Sequence, residues 1–213
     1  MDLDLPMKIP YFFRTGILIA LISIPLVLSN PSLHQWFTGQ TSLSTKYFQT
    51  QNQALDKTEE QDYKGAILAY SKALKIGEEI DFIDAHTYVN CGLAYYKLED
   101  AKRAILDLNQ ALKIEPNRAH TYNDRGRSQQ LLGNTHEALE DYNQALKLDP
   151  KFSEAYSNRG VIYAQLGEID LAFADQNRAL KLNPYFASAY YNRGNLNLAQ
   201  ARYQKLSKIT LRH

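Results

Sequence analysis

The chain has 213 residues, of which 45% are apolar and 22% charged, and its formal net charge is +1. This composition is ordinary for a globular domain and excludes a strongly basic nucleic-acid-binding chain. Cys91 is the single cysteine, so an intramolecular disulfide is excluded as well.

The N-terminal segment contains an uncharged apolar run, 16–28, which follows Lys8 and Arg14. A membrane-spanning helix needs about 17–25 apolar residues. The run reaches that length only if it extends upstream through Arg14, whose guanidinium would then have to extend to the membrane–water interface. A basic stretch, a short apolar run and the helix-breaking Pro25 also fit a cleaved signal peptide, and a buried helix is a third interpretation. We expect residues 1–29 to form an N-terminal hydrophobic helix that serves as a membrane anchor, with a signal segment as the alternative.

The distribution of basic residues predicts the orientation of such an anchor. Lys8 and Arg14 precede the apolar run, and the next basic residue is Lys46. The rule that basic residues stay on the cytoplasmic side predicts a single-pass protein with its N-terminus inside and the rest outside the cytoplasm. Cleavage would instead give an exported soluble protein. Residues 30–46 are polar without a clear period and are predicted to be a spacer.

A repeat of thirty-four residues dominates the remainder of the chain. Several residue types recur at this spacing, which is the signature of a repeat array. The recurring residues are Pro116, Pro150 and Pro184; Gly92, Gly126, Gly160 and Gly194; Tyr88, Tyr122, Tyr156 and Tyr190; Ala104, Ala138 and Ala172; and Ala111, Ala145 and Ala179.

Each repeat is predicted to contain two helices. Apolar and small residues recur at helical spacing in two segments, and Gly133 and Gly167 lie between them, where a helix end favours a left-handed residue. The recurring prolines are placed to end each second helix. A glycine within the first helix costs about 1 kcal/mol relative to alanine, so its recurrence predicts that the paired helix approaches closely there.

These residues resemble the tetratricopeptide repeat family, whose pattern has an aromatic residue at position 4 of the unit, Gly at 8, Tyr at 11, Ala at 20, an aromatic at 24, Ala at 27 and Pro at 32. Units 85–118, 119–152 and 153–186 match most of this pattern, with departures such as Gln129 at position 11 and Gln176 at position 24. Residues 47–84 match as a unit lengthened by four residues. Residues 187–213 match as a partial unit followed by a basic capping helix.

The resemblance implies an all-α fold, an α-solenoid of stacked helix hairpins in a right-handed superhelix with a concave groove. It also implies a scaffold that binds a peptide or a partner protein in that groove, at or near a membrane. The partner's identity stays open, because a fold does not specify a function. The alternative is a non-catalytic structural or assembly subunit of a membrane or envelope complex, in which the array is a spacer.

A ladder of polar residues at positions 5 and 6 is the candidate partner-binding groove. In the carboxylate-clamp members of the family, an asparagine near position 6 binds the backbone of an extended peptide, and an amide side chain is suited to that task. The alternative is that these residues only pack the array, since the lysine pair of the clamp is not evident. The ladder consists of Asn90, Asn123, Asp124, Asn158, Tyr191 and Asn192.

A second ladder is predicted to be structural. Aspartates recur at position 23 and arginines at position 7 of the following unit, while Ala69 is followed by Cys91. Because acid and base are lost together there, we expect partly buried ion pairs between successive units. The predicted pairs are Asp107 with Arg125, Asp141 with Arg159, and Asp175 with Arg193.

The sequence contains no constellation of catalytic residues, so we do not expect an enzyme. Cys91 lies beside Gly92 and is interpreted as a packing thiol. His86 and His120 lie one unit apart, too far to share a metal ion. We therefore expect no cofactor, no metal, no small-molecule substrate and no nucleic-acid partner.

Overall fold

The computed structural model describes residues 31–210, and within this range the chain is helical apart from its turns. The described part contains nine helices: α1 (Pro31–Glu59), α2 (Tyr63–Glu79), α3 (Ala85–Lys97), α4 (Ala101–Ile114), α5 (Ala119–Leu131), α6 (Thr135–Leu148), α7 (Ser153–Gln165), α8 (Ile169–Leu182) and α9 (Ala187–Thr210).

The helices form a solenoid of hairpins, as the repeat predicted. The paired helices α1/α2, α3/α4, α5/α6 and α7/α8 make the most extensive contacts, and each second helix also packs against the first helix of the next unit. We number these hairpins units 1 to 4, and α9 is the first helix of unit 5. The all-α solenoid predicted from the sequence is confirmed.

The turn between the two helices of a unit uses a left-handed residue at position 15. Gly133 and Gly167 have φ values of +79° and +80°, which glycine adopts without steric cost. Gln61 and Glu99 occupy the same position in units 1 and 2 with φ values of 61° and 60°. In unit 5 this position is Ala201, and the backbone stays helical through it. Helix α9 therefore continues to Thr210 instead of turning back.

Helix ends follow the local sequence. Asp62, Asp84 and Asp100 accept hydrogen bonds from the backbone N–H groups of Gly65, Thr87 and Arg103, which caps α2, α3 and α4. The second helices of units 2, 3 and 4 end two residues before the recurring prolines, as predicted.

The core is a series of shallow layers between hairpins. Alanines at the recurring positions 20 and 27 are fully buried, and they let the helices pack closely. Larger side chains fill the space between units: Tyr47, Tyr70, Leu108, Tyr142 and Ile162 are at most 1% exposed.

The recurring glycine at position 8 lies where the two helices of a unit touch. A Cβ atom on Gly160 would lie 2.6 Å from Nε2 of Gln176 and 3.2 Å from the carbonyl oxygen of Ala172. Gly92 and Gly126 face their partner helices at similar distances. Gly194 differs, because no atom lies within 4 Å of the corresponding point. Close approach thus explains the glycines of units 2 to 4.

The N-terminal part differs from the sequence prediction in one respect. The predicted spacer 30–46 belongs to α1 from Pro31 onward, so the first helix begins sixteen residues before Tyr47. Its early turns carry Thr38 and Thr41, whose hydroxyls donate to backbone carbonyls one turn earlier. The predicted anchor, 1–29, lies outside the described residues. Between residues 31 and 210, no helix has both the length and the apolarity needed to cross a bilayer.

The two types of glycine predict opposite effects of alanine. Gly160→Ala should lower the free energy of unfolding by about 1–3 kcal/mol, because the methyl group would overpack the contact with α8. Gly194→Ala should raise it by up to about 1 kcal/mol, because alanine favours the helix and meets no neighbour. Urea unfolding of both variants measures the difference. Equal effects would contradict the close-approach account.

Candidate functional site

The inner face of the array is formed by the first helices of the units. The first helices of successive units contact one another: α3 contacts α5, α5 contacts α7, and α7 contacts α9. The second helices make at most sparse contacts with one another. The array therefore curves toward the first helices. We call the accessible side chains of α3, α5, α7 and α9 on this side the inner face.

The predicted polar ladder joins neighbouring units. Nδ2 of Asn158 donates to Oδ1 of Asn123 at 2.9 Å, and Nδ2 of Asn192 donates to Oγ of Ser157 at 3.1 Å. Position 6 of one unit thus binds position 5 of the preceding unit. Asn123 and Ser157 are buried, so these bonds help to satisfy buried polar groups; the Ser157 hydroxyl also donates to Oε1 of Gln176 at 2.9 Å.

The other predicted groove residues have separate environments. Asn90 interacts with the hydroxyl of Tyr70 in the preceding unit. Asp124 accepts a hydrogen bond from Nη1 of Arg127 at 3.4 Å, and burial raises the pKa of this carboxyl group. Tyr191 is 70% exposed. The structure brings the ladder together on adjacent helices, and partner binding by these residues stays a prediction.

A depression of about 310 Å³ lies on the inner face between α1, α2, α3 and α5. Its charged part consists of Lys97, Arg127 and Asp124, and its aromatic part of Tyr63 and Tyr96. The guanidinium of Arg127 lies 4.5 Å from the ring centre of Tyr96, which is within cation–π range. This depression combines positive charge, aromatic surface and hydrogen-bond donors, and we call it the basic depression.

A second depression of about 300 Å³ lies between α7, α8 and α9. Its walls are largely apolar and include Val161, Ala164, Ile169 and Leu196. It lies at position 24 of unit 4, where Gln176 replaces the aromatic residue that Tyr142 provides in unit 3. We call it the apolar depression.

The arginines at position 7 hold two units at once. Arg125 donates from Nε and Nη2 to the carboxylate of Asp141, at 2.9 Å and 2.6 Å for the shortest contacts. Its Nη1 donates to Oδ1 of Asn109 at 2.6 Å. Asp141 belongs to the same unit as Arg125, whereas Asn109 belongs to the preceding one. The guanidinium fork therefore links the two helices of its unit to the unit before it.

The same arrangement recurs in the next unit. Arg159 binds Asp175 bidentately at 2.8 Å through Nε and Nη2, and its Nη1 donates to Asn143 at 2.7 Å. Arg193 keeps the third bond, to Asn177 at 3.1 Å. We call an arginine at position 7 with these partners a clamp.

The predicted pairing between units is therefore wrong in register. Arg125 pairs with Asp141 rather than Asp107, and Arg159 pairs with Asp175 rather than Asp141. Asp175 was predicted to pair with Arg193, but its carboxylate binds Arg159. The physical reason is that positions 7 and 23 lie opposite each other in one antiparallel hairpin. The residue of the preceding unit that does contact the arginine is the asparagine at position 25.

Unit 2 has the aspartate without the arginine. Asp107 at position 23 faces Cys91 at position 7, and Oδ2 of Asp107 is buried without a hydrogen-bond partner among residues 31–210. Burial raises the pKa of Asp107, and it also raises the pKa of the Cys91 thiol. Cys91 is 2% exposed, which confirms the packing interpretation. Position 25 of the preceding unit is Ser71, so the asparagine is absent together with the arginine.

Repeat models of one family match three stretches of the chain. Two models of the tetratricopeptide repeat match residues 85–118 and 153–186, and a further TPR repeat model matches residues 131–167. The chain is a tetratricopeptide repeat protein. No curated protein matches it.

Several solved structures share the fold of this chain. The crystal structure of MamA protein has a TM-score of 0.64 and 22% identity, covering 76% of this chain and 86% of MamA. YrrB, described as a TPR protein with an unusual peptide-binding site, has a TM-score of 0.59 and 23% identity, and the match covers 66% of this chain and 71% of YrrB. The first TPR of Spaghetti, solved with an HSP90 peptide of sequence SRMEEVD, has a TM-score of 0.53 and 24% identity, and the match covers 55% of this chain and 94% of that domain.

In this TPR protein, the predicted residues Asp124 and Asn192 line the basic and the apolar depression respectively, and sequence reasoning missed the other residues of both. Tyr96 and Arg127 lie at positions 12 and 9, which carry different residues from unit to unit and so form no ladder. The departure of Gln176 from the repeat pattern was visible in the sequence, and it marks the apolar depression. A search for departures from the repeat pattern would therefore have found this part of the site.

The corrected register can be tested by comparing two pairs. We expect Arg159→Ala to destabilise the TPR array by about 3–5 kcal/mol, because Asp175 would stay buried without its partner. A double-mutant cycle of Arg159 with Asp175 should give a coupling energy of about 0.5–3 kcal/mol. The cycle of Arg159 with Asp141 serves as the control and should give a coupling energy near zero. A larger coupling energy for Arg159 with Asp141 than for Arg159 with Asp175 would support pairing between units.

The raised pKa of Asp107 implies that the free energy of unfolding depends on pH. Because its pKa in the folded state lies above the unfolded value, the charged form disfavours folding, and stability is lost as the pH rises through the folded pKa. Asp107→Asn should therefore raise the free energy of unfolding at pH 7, by an amount that shrinks as the pH falls. Thermal unfolding between pH 7 and pH 4 measures this trend.

The matched control for that experiment is Asp175→Asn, which removes a carboxylate that Arg159 binds. This change should lower the free energy of unfolding at pH 7. Destabilisation of both variants at pH 7 would show that the Asp107 carboxylate is a favourable group in the folded protein.

Proposed function

We propose that this protein is a non-catalytic scaffold that binds a peptide or a segment of a partner protein along the inner face. The observation that carries the proposal is the basic depression, where Lys97 and Arg127 stand beside Tyr63 and Tyr96. Arg127 is held by Asp124 and lies over Tyr96, so its guanidinium is oriented before a ligand arrives. Such preorganisation lowers the entropic cost of binding.

The chemistry of the two depressions suggests the kind of ligand. A carboxylate would be attracted to Lys97 and Arg127 and could form charge-assisted hydrogen bonds. An apolar side chain of the same segment would fit the apolar depression lined by Val161 and Leu196. The peptide-bound TPR of Spaghetti and the peptide-binding site of YrrB support a peptide ligand for this architecture.

The proposal includes a location at a membrane. Lys8 and Arg14 precede the apolar run 16–28, which supports a single-pass anchor with the repeats outside the cytoplasm. An exported soluble form would follow from cleavage after the run. Mass spectrometry of the native N-terminus separates these two versions.

A spacer role in a membrane or envelope assembly is the second candidate. It is favoured by the bonds Asn158–Asn123 and Asn192–Ser157, which use inner-face amides to hold neighbouring units together. An array stiffened in this way would hold its two ends at a fixed separation. In that case no ligand would occupy the inner face.

Site-specific photo-crosslinking in the cells of origin distinguishes the two candidates. A photoreactive residue is placed at Lys97 on the inner face, and a matched one at Lys102 on the second helix of the same unit; both lysines are exposed. A partner in the groove should crosslink to position 97 and not to position 102. Crosslinks at both positions or at neither would contradict binding at the inner face.

Two arginines provide matched variants for the same experiment. Arg127 and Arg103 each bind an aspartate three residues earlier and each lie over a tyrosine ring, but only Arg127 faces the basic depression. Arg127→Gln should weaken the crosslink from position 97 about tenfold, since a charge-assisted bond contributes about 1.5–3 kcal/mol. Arg103→Gln should leave it unchanged. Equal effects would place the bound group elsewhere.

A further inference from the structure

Helix α9 has a face against which no second helix packs within the described residues. Tyr190 at position 4 is 49% exposed, whereas the tyrosines at the same position of units 2 to 4 are half-buried. No atom lies within 4 Å of a Cβ built on Gly194, although the glycines of units 2 to 4 all face a partner helix at that point. We call Tyr190, Arg193, Gly194 and Asn197 the open face.

Arg193 is already oriented as its counterparts are. Its Nη1 donates to Asn177 at 3.1 Å, as Arg159 donates to Asn143. In Arg159 the remaining groups, Nε and Nη2, bind the carboxylate of Asp175. No carboxylate within the described residues binds Nε and Nη2 of Arg193. Arg193 is therefore a clamp that lacks its acid.

The charge of this end of the array is complementary to an acidic partner. Residues 176–213 of the sequence contain no Asp or Glu. The same stretch contains seven basic residues: Arg178, Lys181, Arg193, Arg202, Lys205, Lys208 and Arg212. Such a concentration of one sign attracts and orients an oppositely charged segment.

We propose that the open face of α9 binds an acidic helix of another protein, which takes the place of a second helix in unit 5. The helices of units 3 and 4 indicate its chemistry. It would carry a small residue three positions before an aspartate, as Ala138 precedes Asp141, so that the carboxylate reaches Arg193. A ring at the next position, where α6 has Tyr142, would cover Gly194.

This surface is distinct from the inner-face depressions, and its occupant is a foreign helix rather than a second copy. The helices of this chain that have the required pattern, α4, α6 and α8, are each covered on that side by the first helix of their own unit. A second copy could present them only by unfolding part of its array.

A helical peptide copied from this chain is a suitable probe. A capped, fluorescent peptide with the sequence of α6, Thr135–Leu148, is titrated with the purified full chain. We expect saturable binding that weakens as salt is added. A peptide with Asp141→Asn should bind at least about tenfold more weakly, because it cannot form the charge-assisted bonds to Arg193. Equal affinity of the two peptides would overturn the proposal.

Variants of the protein locate the binding surface. Gly194→Leu should abolish peptide binding and leave the circular dichroism and the melting curve close to those of the native chain, because the side chain projects into open space. Arg127→Gln should leave binding unchanged, which separates this surface from the basic depression. Undiminished binding by Gly194→Leu would overturn the proposal. The proposal would also be overturned if sedimentation showed that the native chain is a dimer and that Gly194→Leu dissociates this dimer.

Discussion

The clamp at position 7 is the interaction on which the arrangement of the units depends. In units 3 and 4 one guanidinium binds an aspartate on the opposite helix of its own hairpin and an asparagine of the preceding hairpin. A buried ion pair adds little net stability over an apolar pair, but it strongly disfavours any geometry that leaves the charges apart. The neighbouring glycine at position 8 fixes how closely the two helices approach. Together they set how the hairpins of units 3 and 4 dock on the hairpins before them.

The irregular features of the molecule lie where a unit departs from the repeat pattern. Unit 2 has Cys91 in place of the arginine, and one oxygen of the Asp107 carboxylate is left buried beside it. Unit 4 has Gln176 in place of a ring, and a depression opens between α7, α8 and α9. Unit 5 has the arginine and the glycine without the helix that they contact elsewhere. Each departure changes one contact of the repeat, so the remaining units keep their packing.

Much of the fold could be predicted from the sequence because every repeat restates the same local physics. The glycine and proline positions marked the helices, and the cost of Gly160 within a helix indicated a close contact. The partner of each arginine could not be predicted, because Asp141 and Asp175 lie at the same period and sequence spacing alone does not choose between them. The basic depression could not be predicted for the opposite reason: Tyr96 and Arg127 follow no period, and they come together only because α3 stacks on α5.

Native-state hydrogen exchange of Arg159→Ala tests most directly whether the clamp joins successive units. If Arg159 holds α7 to both Asp175 and Asn143, its loss should reduce amide protection in α7 and α8 and also in α6 of the preceding unit. Arg103→Ala removes an arginine whose contacts with Asp100 and Tyr95 both lie within unit 2, so it should leave all three helices protected. A loss of protection confined to α7 and α8 would contradict the account, because each hairpin would then hold its position without the arginine.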